Sequence, residues 1–162
     1  MPRRGQPSSG ALIGVISDTH GLLRPEALEA LGGVHRILHA GDIGNPAHLE
    51  VLARIAPVTA IRGNIDRDDW AKALPEAVTL AIGGLRIHML HDRKTLRADP
   101  DAEGWNVVIS GHSHKPACED TGGTLWLNPG AAGPRRFRLP ITLAFLWEEA
   151  GRPRAEIHPL HV

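Results

Sequence analysis

The 162-residue chain contains one cysteine, Cys118, no tyrosine, and only four Trp and two Phe as aromatic residues. A lone cysteine excludes an intrachain disulfide and a cysteine zinc knuckle, and it fits a reducing compartment. Any metal must therefore be held by His, Asp, Glu or Asn. Net charge is missing too, since 18 Lys+Arg balance 18 Asp+Glu. That balance argues against binding that relies on a nucleic-acid backbone or an anionic lipid surface, so neither nucleic acid nor membrane is indicated as a partner. No apolar run approaches the roughly 18 residues that span a bilayer. At the N-terminus, Arg3 and Arg4 precede a Gly/Pro/Ser stretch without the apolar segment and cleavage context of a secretory signal. Residues 1–10 read as a disordered leader, and the expected location is the cytoplasm.

Histidine, by contrast, is plentiful, at ten residues. Hydrophobic residues at 42% and charged residues at 22% match a soluble globular chain and not a disordered one. The length suits a single domain over residues 11–162. Apolar runs at Ala11 to Ser17, Arg36 to Ala40 and Val58 to Ile61 alternate with helical patterns at Pro25 to Leu31 and Asn45 to Ile55. Pro25 and Pro46 suit the first helical turn, and Asn45 can cap free N–H groups. This βαβαβ order predicts parallel strands with helical crossovers. Further on, Ala77 to Ile82 and Leu85 to Leu90 flank the hairpin signal Gly83-Gly84, and Gly122-Gly123 joins Ala117 to Asp120 with Thr124 to Leu127. A short helix or loop follows Arg93, then an apolar run at Asn106 to Ser110. Ile141 to Trp147 and Ala155 to Ile157 read as closing strands.

Five polar groups each follow one of these runs: Asp18-Thr19-His20, Gly41-Asp42, Gly63-Asn64, His91-Asp92, and Gly111-His112-Ser113-His114. In open α/β sheets, ligands bind beyond the carboxyl ends of strands, so the five groups are expected on one rim. One such short motif is weak evidence, whereas five in order, each at a strand end, are specific. Asp and His two residues apart can grip one cation from the same side. Mixed carboxylate, imidazole and amide donors suit Mn, Fe, Zn or Ni. Seven such donors are too many for one tetrahedral site but natural for two ions sharing a bridging carboxylate.

This series resembles the calcineurin-like metallophosphoesterase superfamily, with its ordered D-x-H, GD, GN, H and GHxH pattern. It is most similar to the small bacterial and archaeal phosphodiesterases of the YfcE type, on Arg62-Gly63-Asn64-Ile65-Asp66 and Asn128-Pro129-Gly130. The resemblance implies a four-layer α-β-β-α sandwich of two mixed sheets with a dimetal site on one edge. It assigns Asp18, His20 and His114 to one ion, Asn64, His91 and His112 to the other, and Asp42 to the bridge. The implied activity is hydrolysis of a small phosphodiester by in-line attack of a hydroxide lying between two divalent ions, with Mn the first to expect. A phosphomonoesterase or nucleotidase is the alternative within the enzyme class. A non-catalytic protein-binding scaffold, like the retromer subunit of the same fold, is the alternative outside it.

Two departures bear on substrate. Ile65 stands where many relatives carry a histidine that binds or protonates the phosphoryl group, which favours leaving groups that depart unaided. Asp92 stands where glycine is common. His39 and Asp66 read as residues that orient the ligands or their loops, and Arg62, Arg135 and Asn64 as substrate contacts, Arg135 lying in the basic cluster Pro134 to Arg138. Cys118 reads as a small buried or hairpin residue, and His35, His48, His88, His158 and His161 as surface or structural. A homo-oligomer is compatible with all of this.

Overall fold

A computed structural model describes residues 10–162, so the leader expected over residues 1–10 lies, apart from Gly10, outside the described residues. The first half runs β1 (Ile13–Ile16), α1 (Pro25–Leu31), β2 (Arg36–His39), α2 (Pro46–Ala53) and β3 (Val58–Ala60). All three strands are parallel, with Ile13 beside Arg36 and Ile37 beside Val58. Pro25 and Pro46 open their helices, and Asn45 Oδ1 accepts the Ala47 N–H at 3.0 Å, an N-cap of the expected kind. α2 stops at Ala53 rather than Ile55, because the Ile55 N–H turns back to the Leu52 carbonyl and tightens the last turn.

The remaining elements are α3 (Asp69–Lys72), β4 (Ala77–Ile82), β5 (Leu85–Leu90), α4 (Pro100–Glu103), β6 (Val107–Ile109), β7 (Ala117–Thr121), β8 (Thr124–Asn128), β9 (Thr142–Glu149) and β10 (Arg152–Pro159). α3, a single turn, carries no sequence periodicity and was not foreseen. β10 is longer than its apolar stretch Ala155–Ile157 because all eight of its residues pair with β9 across the Ala150-Gly151 turn. Two mixed five-stranded sheets result, in the orders β10-β9-β1-β2-β3 and β4-β5-β6-β8-β7. Cys118 is an exposed hairpin residue on β7.

Alternation along the strands divides the apolar residues into two cores. Ile13, Val15, Leu38, Ile87, Met89, Ile109 and Leu146 fill the seam between the sheets. Ile16, Ala27, Leu31, Ile37, Leu52 and Phe145 fill the layer between the first sheet and helices α1 and α2. β1 is buried on both faces, which is why it reads as a continuous apolar run. Each fully buried aliphatic side chain contributes roughly 1.5–3 kcal/mol relative to exposure. The outer face of the second sheet is covered by short pieces, a 3-10 turn at Arg93–Thr95 and the one-turn α4. Aromatic contacts replace helix packing there: His88 stacks on Trp105 at 4.0 Å, and the Arg93 guanidinium lies 4.1 Å over Trp126. His35 is structural as expected, its Nδ1 accepting the Leu12 N–H.

Gly14 faces α1 from β1, and a Cβ built on it comes within 2.4 Å of Leu31 Cδ2. We expect Gly14→Ala to lose about 1–3 kcal/mol by overpacking. Combined with Leu31→Ala it should fall short of additivity by about 1 kcal/mol, because the shortened side chain leaves room for the new methyl. Urea denaturation of the two single variants and the double variant measures the coupling.

Candidate metal centre

Each strand that ends at the common rim delivers one group. Asp18 and His20 follow β1, Asp42 follows β2, Asn64 follows β3, His91 follows β5, and His112 and His114 follow β6. The first two loops run as a ladder, with the Asp18 N–H donating to Gly41 O at 3.0 Å and the His20 N–H to Asp42 O at 2.9 Å. Glycine is required where these loops crowd together. A Cβ on Gly63 would stand 2.2 Å from Asp42 Oδ1, and one on Gly111 2.6 Å from Asp18 Oδ2. Five of the seven expected ligands, Asp18, His20, Asp42, His112 and His114, hold φ between 45° and 70°. For residues with a Cβ that conformation costs on the order of 1–3 kcal/mol each and persists only where the surroundings enforce it.

The enforced geometry gathers donor atoms around two points. Asp18 Oδ1 lies 3.7 Å from His20 Nε2, 3.5 Å from His114 Nε2 and 3.8 Å from His91 Nε2. Asp42 Oδ2 lies 3.4 Å from His20 Nε2 and 3.1 Å from His91 Nε2, between the two histidines. Asp18, His20 and His114 form one compact group, and Asp18, Asp42 and His91 another. His112 sits beside them, its ring edge-on to His91 at 5.2 Å and its Nε2 3.9 Å from Asp92 Oδ2. Asn64 lines a groove of about 740 Å³ with His91, Asp92, Arg62 and Arg67.

These atoms approach without bonding one another. Asp18 Oδ1, His20 Nε2 and His91 Nε2 are buried with no aligned hydrogen-bond partner, and so is the other ring nitrogen of His114, Nδ1. Ligand bonds of about 2.0–2.2 Å to one cation place neighbouring donors roughly 3–3.5 Å apart, close to the spacings found. Buried polar atoms lacking partners call for an explanation, and a divalent cation provides one. The residues present fit such ions.

The electrostatics are consistent with that donor set. Burial works against the charge on Asp42, but His91, the Ile65 N–H and His20 outweigh it and hold the carboxyl at about 2. Burial likewise disfavours the His91 imidazolium, yet the Asp42 carboxylate, the Ala40 carbonyl and Asp18 raise its pKa to about 8. The Ala40 carbonyl, 2.7 Å from Nδ1, keeps the proton on that nitrogen and turns Nε2 toward the carboxylates. His114 is lowered by burial and by the Arg136 guanidinium, against the pull of Asp18.

A supporting set of residues fixes the loops. Asp66, buried, accepts the N–H groups of Ile43 and Gly63 on Oδ2 and of Gly44 on Oδ1, which ties the second motif to the third. His39 is fully buried. Its Nδ1 accepts the Gly41 N–H, so the proton on Nε2 points to Thr19 Oγ1, whose own proton goes to the Ile43 carbonyl. Ser17 donates to Asp18 Oδ2 at 2.7 Å, and Asn128 Nδ2 donates to Gly111 O and Ser113 Oγ behind the histidine pair. Ser17 and Thr19 carried no recognisable sequence signal, whereas Asn128 had one in its Asn-Pro-Gly motif. Arg62 reaches the groove while bonded to Glu76 at 3.1 Å. In the basic cluster, Arg135 turns Nη1 back to Leu139 O at 3.4 Å, and Arg136 is the residue whose charge bears on His114.

Burial holds the His39 imidazole at about 4, although Asp18, Asp66 and Asp42 pull upward. A depressed histidine stabilises the fold above its unfolded pKa of 6.5, and this is lost as pH falls toward 4. Between pH 7 and 5 the loss is about 2 kcal/mol. His91, with its raised value, acts in the opposite sense in the metal-free protein. The His39 contribution is therefore read as the difference in pH dependence of urea stability between the wild-type and His39→Gln chains, which we expect to be about 2 kcal/mol flatter in the variant.

The family model for the calcineurin-like phosphoesterase superfamily domain matches residues 12–151. A probable metallophosphoesterase of Methanothermobacter thermautotrophicus is 37% identical over 144 residues, covering 82% of this chain and 83% of that protein. Among solved structures, an archaeal phosphodiesterase superposes with a TM-score of 0.70 at 23% identity, over 90% of this chain and 99% of that one. Vps29 from Entamoeba histolytica in complex with Zn²⁺ superposes with a TM-score of 0.71 at 22% identity, over 93% and 99%. The two solved structures show the shared fold. Because the family match begins at the strand before Asp18 and ends in the last hairpin, past all five loops that carry the expected ligands, the chain belongs to the calcineurin-like phosphoesterase superfamily.

Proposed function

We propose that residues 11–162 act as one domain that hydrolyses a small phosphodiester in the cytoplasm, using two divalent ions, with Mn²⁺ the ion to supply first. The observation that carries this reading is the cluster of buried, unpartnered donor atoms of Asp18, His20, His91 and His114 around Asp42. In this reading Asp18, His20 and His114 hold one ion, Asn64, His91 and His112 hold the other, and Asp42 is shared. When bound, such a pair supplies an activated water and neutralises charge on the phosphoryl group.

The chain's own residues do the rest. His91 and Asp42 present their lone pairs inward because Ala40 and the Ile65 N–H hold their other atoms. Asp66 and His39 keep the second and third loops from drifting, so the ligands need little rearrangement on binding. Ile65 is 47% exposed at the rim and carries no proton to give. That favours a diester with a good leaving group over one that needs an acid. The archaeal phosphodiesterase among the structural neighbours is consistent with this choice.

We expect Mn²⁺-dependent turnover of bis-p-nitrophenyl phosphate, faster than that of p-nitrophenyl phosphate. Asp42→Ala and His112→Ala chains with unchanged circular dichroism should fall to about one hundredth of wild type or less. Faster turnover of the monoester would favour a phosphomonoesterase or nucleotidase. Absence of metal by elemental analysis, together with no hydrolysis under any divalent ion, would favour the protein-binding scaffold.

A further inference from the structure

The loop between β8 and β9 carries a feature that neither folding nor ion binding accounts for. Its root is built into the centre. The Ala132 N–H donates to Ser17 O at 3.1 Å, Arg24 Nε donates to Gly133 O at 3.1 Å, and a Cβ on Gly133 would stand 2.2 Å from Thr19 O. The first motif and the loop therefore move as one piece. At its tip the Leu139 N–H closes a turn on Arg136 O, and Phe137 occupies the first central position with φ of 54°. That position suits glycine, and phenylalanine there is strained. The Phe137 side chain is also 91% exposed, against 47% or less for the other exposed large hydrophobic residues described.

A strained residue with an exposed ring contributes nothing to the core, so its chemistry must be read outward. Phe137 lines an open cleft of about 380 Å³ together with Pro134, Arg135, Arg136, His20 and His114. The cleft floor is thus two of the expected metal ligands, one wall is a flat aromatic face, and the remaining charge is cationic. It shares no lining residue with the groove that contains Asn64. Arg136 and Arg135 complement an anion, and a phenyl ring offers a stacking surface for a planar group.

Resting on the function proposed above, we infer that this cleft binds the retained arm of the substrate, and that this arm carries a planar aromatic group of nucleobase type. Phe137 stacks the base, and Arg136 steadies the phosphate from which the leaving group departs. Both are specificity-determining residues. The reaction centre needs neither of them to hold its ions. A cleft of this volume suits a nucleoside, and its opening onto His20 and His114 places that nucleoside beside the reacting phosphorus. A second use of an exposed Phe among arginines is insertion into an anionic membrane surface, which the test includes.

Two esters with the same p-nitrophenolate leaving group isolate the retained arm: thymidine 5′-phosphate p-nitrophenyl ester and methyl p-nitrophenyl phosphate. Wild type is expected to prefer the thymidine ester in kcat/KM, and Phe137→Ala to reduce that preference about tenfold, mainly through KM. Phe137→Tyr should restore it, since a phenol ring stacks as well. Isothermal titration with thymidine 5′-monophosphate reads the same contact without turnover. Binding weakened by Phe137→Ala supports the inference even if no ester is hydrolysed, in which case it is the hydrolytic reading that fails. Equal preference and equal nucleotide affinity in wild type and Phe137→Ala would overturn the inference. Co-sedimentation with phosphatidylglycerol vesicles that Phe137→Ala abolishes, with nucleotide affinity unchanged, would also overturn it, in favour of a membrane contact.

Discussion

The whole rim is arranged around one electrostatic problem, the burial of the Asp18 carboxylate. Asp18 is completely buried, and removing a carboxylate from water costs several kcal/mol unless its oxygens are compensated. One oxygen is satisfied internally by the Ser17 hydroxyl and the His112 N–H. The other faces three imidazole nitrogens and bonds to none. A hydrophobic residue of similar size would fill the space at lower cost, so the carboxylate is kept for what it can attract. The N–H bond from His112 ties the first and last motifs of the chain directly, and it draws the two sheets' ligands onto the same oxygen pair.

Meeting that demand determines the backbone. Residues two apart on an extended strand share a face but stand about 6.5–7 Å from one another. To bring both Asp18 and His20 to bear on one point, the chain must curl sharply past the strand end. The left-handed conformations at these residues do this, and their strain is offset by the ladder between the first two loops and by the clamps from Asp66 and His39. The supporting hydrogen bonds therefore shape the rim as much as the expected ligands do.

Much of this was legible in the sequence, and for identifiable reasons. Strands such as Ile13–Ile16 and Leu85–Leu90 announce themselves because burial on one or both faces forces apolar runs, and the polar residues just beyond them mark the rim. Asn45-Pro46 announces its helix by local hydrogen-bond chemistry. α3 escaped notice because one turn shows no period. The ends of β10 escaped because its polar residues face solvent and only its pairing with β9 defines it. Thr19 and the Ala40 carbonyl could not be singled out, since their roles depend on contacts across 20 or more residues. Within Pro134–Arg138 the sequence points to Arg135 as the substrate contact and gives no sign that Phe137 matters. Only the folded turn shows that Arg135, Arg136 and Phe137 line one cleft, with Arg135 also bonded back to Leu139 O of its own loop.

The placement of the donor atoms has a mechanical consequence. Asp18, His20, Asp42 and Asn64 hang from the first sheet, and His91, His112 and His114 from the second. Between the sheets the seam is held mainly by non-directional aliphatic packing, with a few polar ties such as His112 N–H to Asp18 and Gly84 N–H to Glu148. Ions gripped by both sets would cross-link the two halves of the sandwich, closing long chain loops as a disulfide does in a secreted domain. In a chain with a single cysteine, the centre would then be the strongest tie between the sheets among the described residues, and parting the sandwich would loosen its hold on the ions.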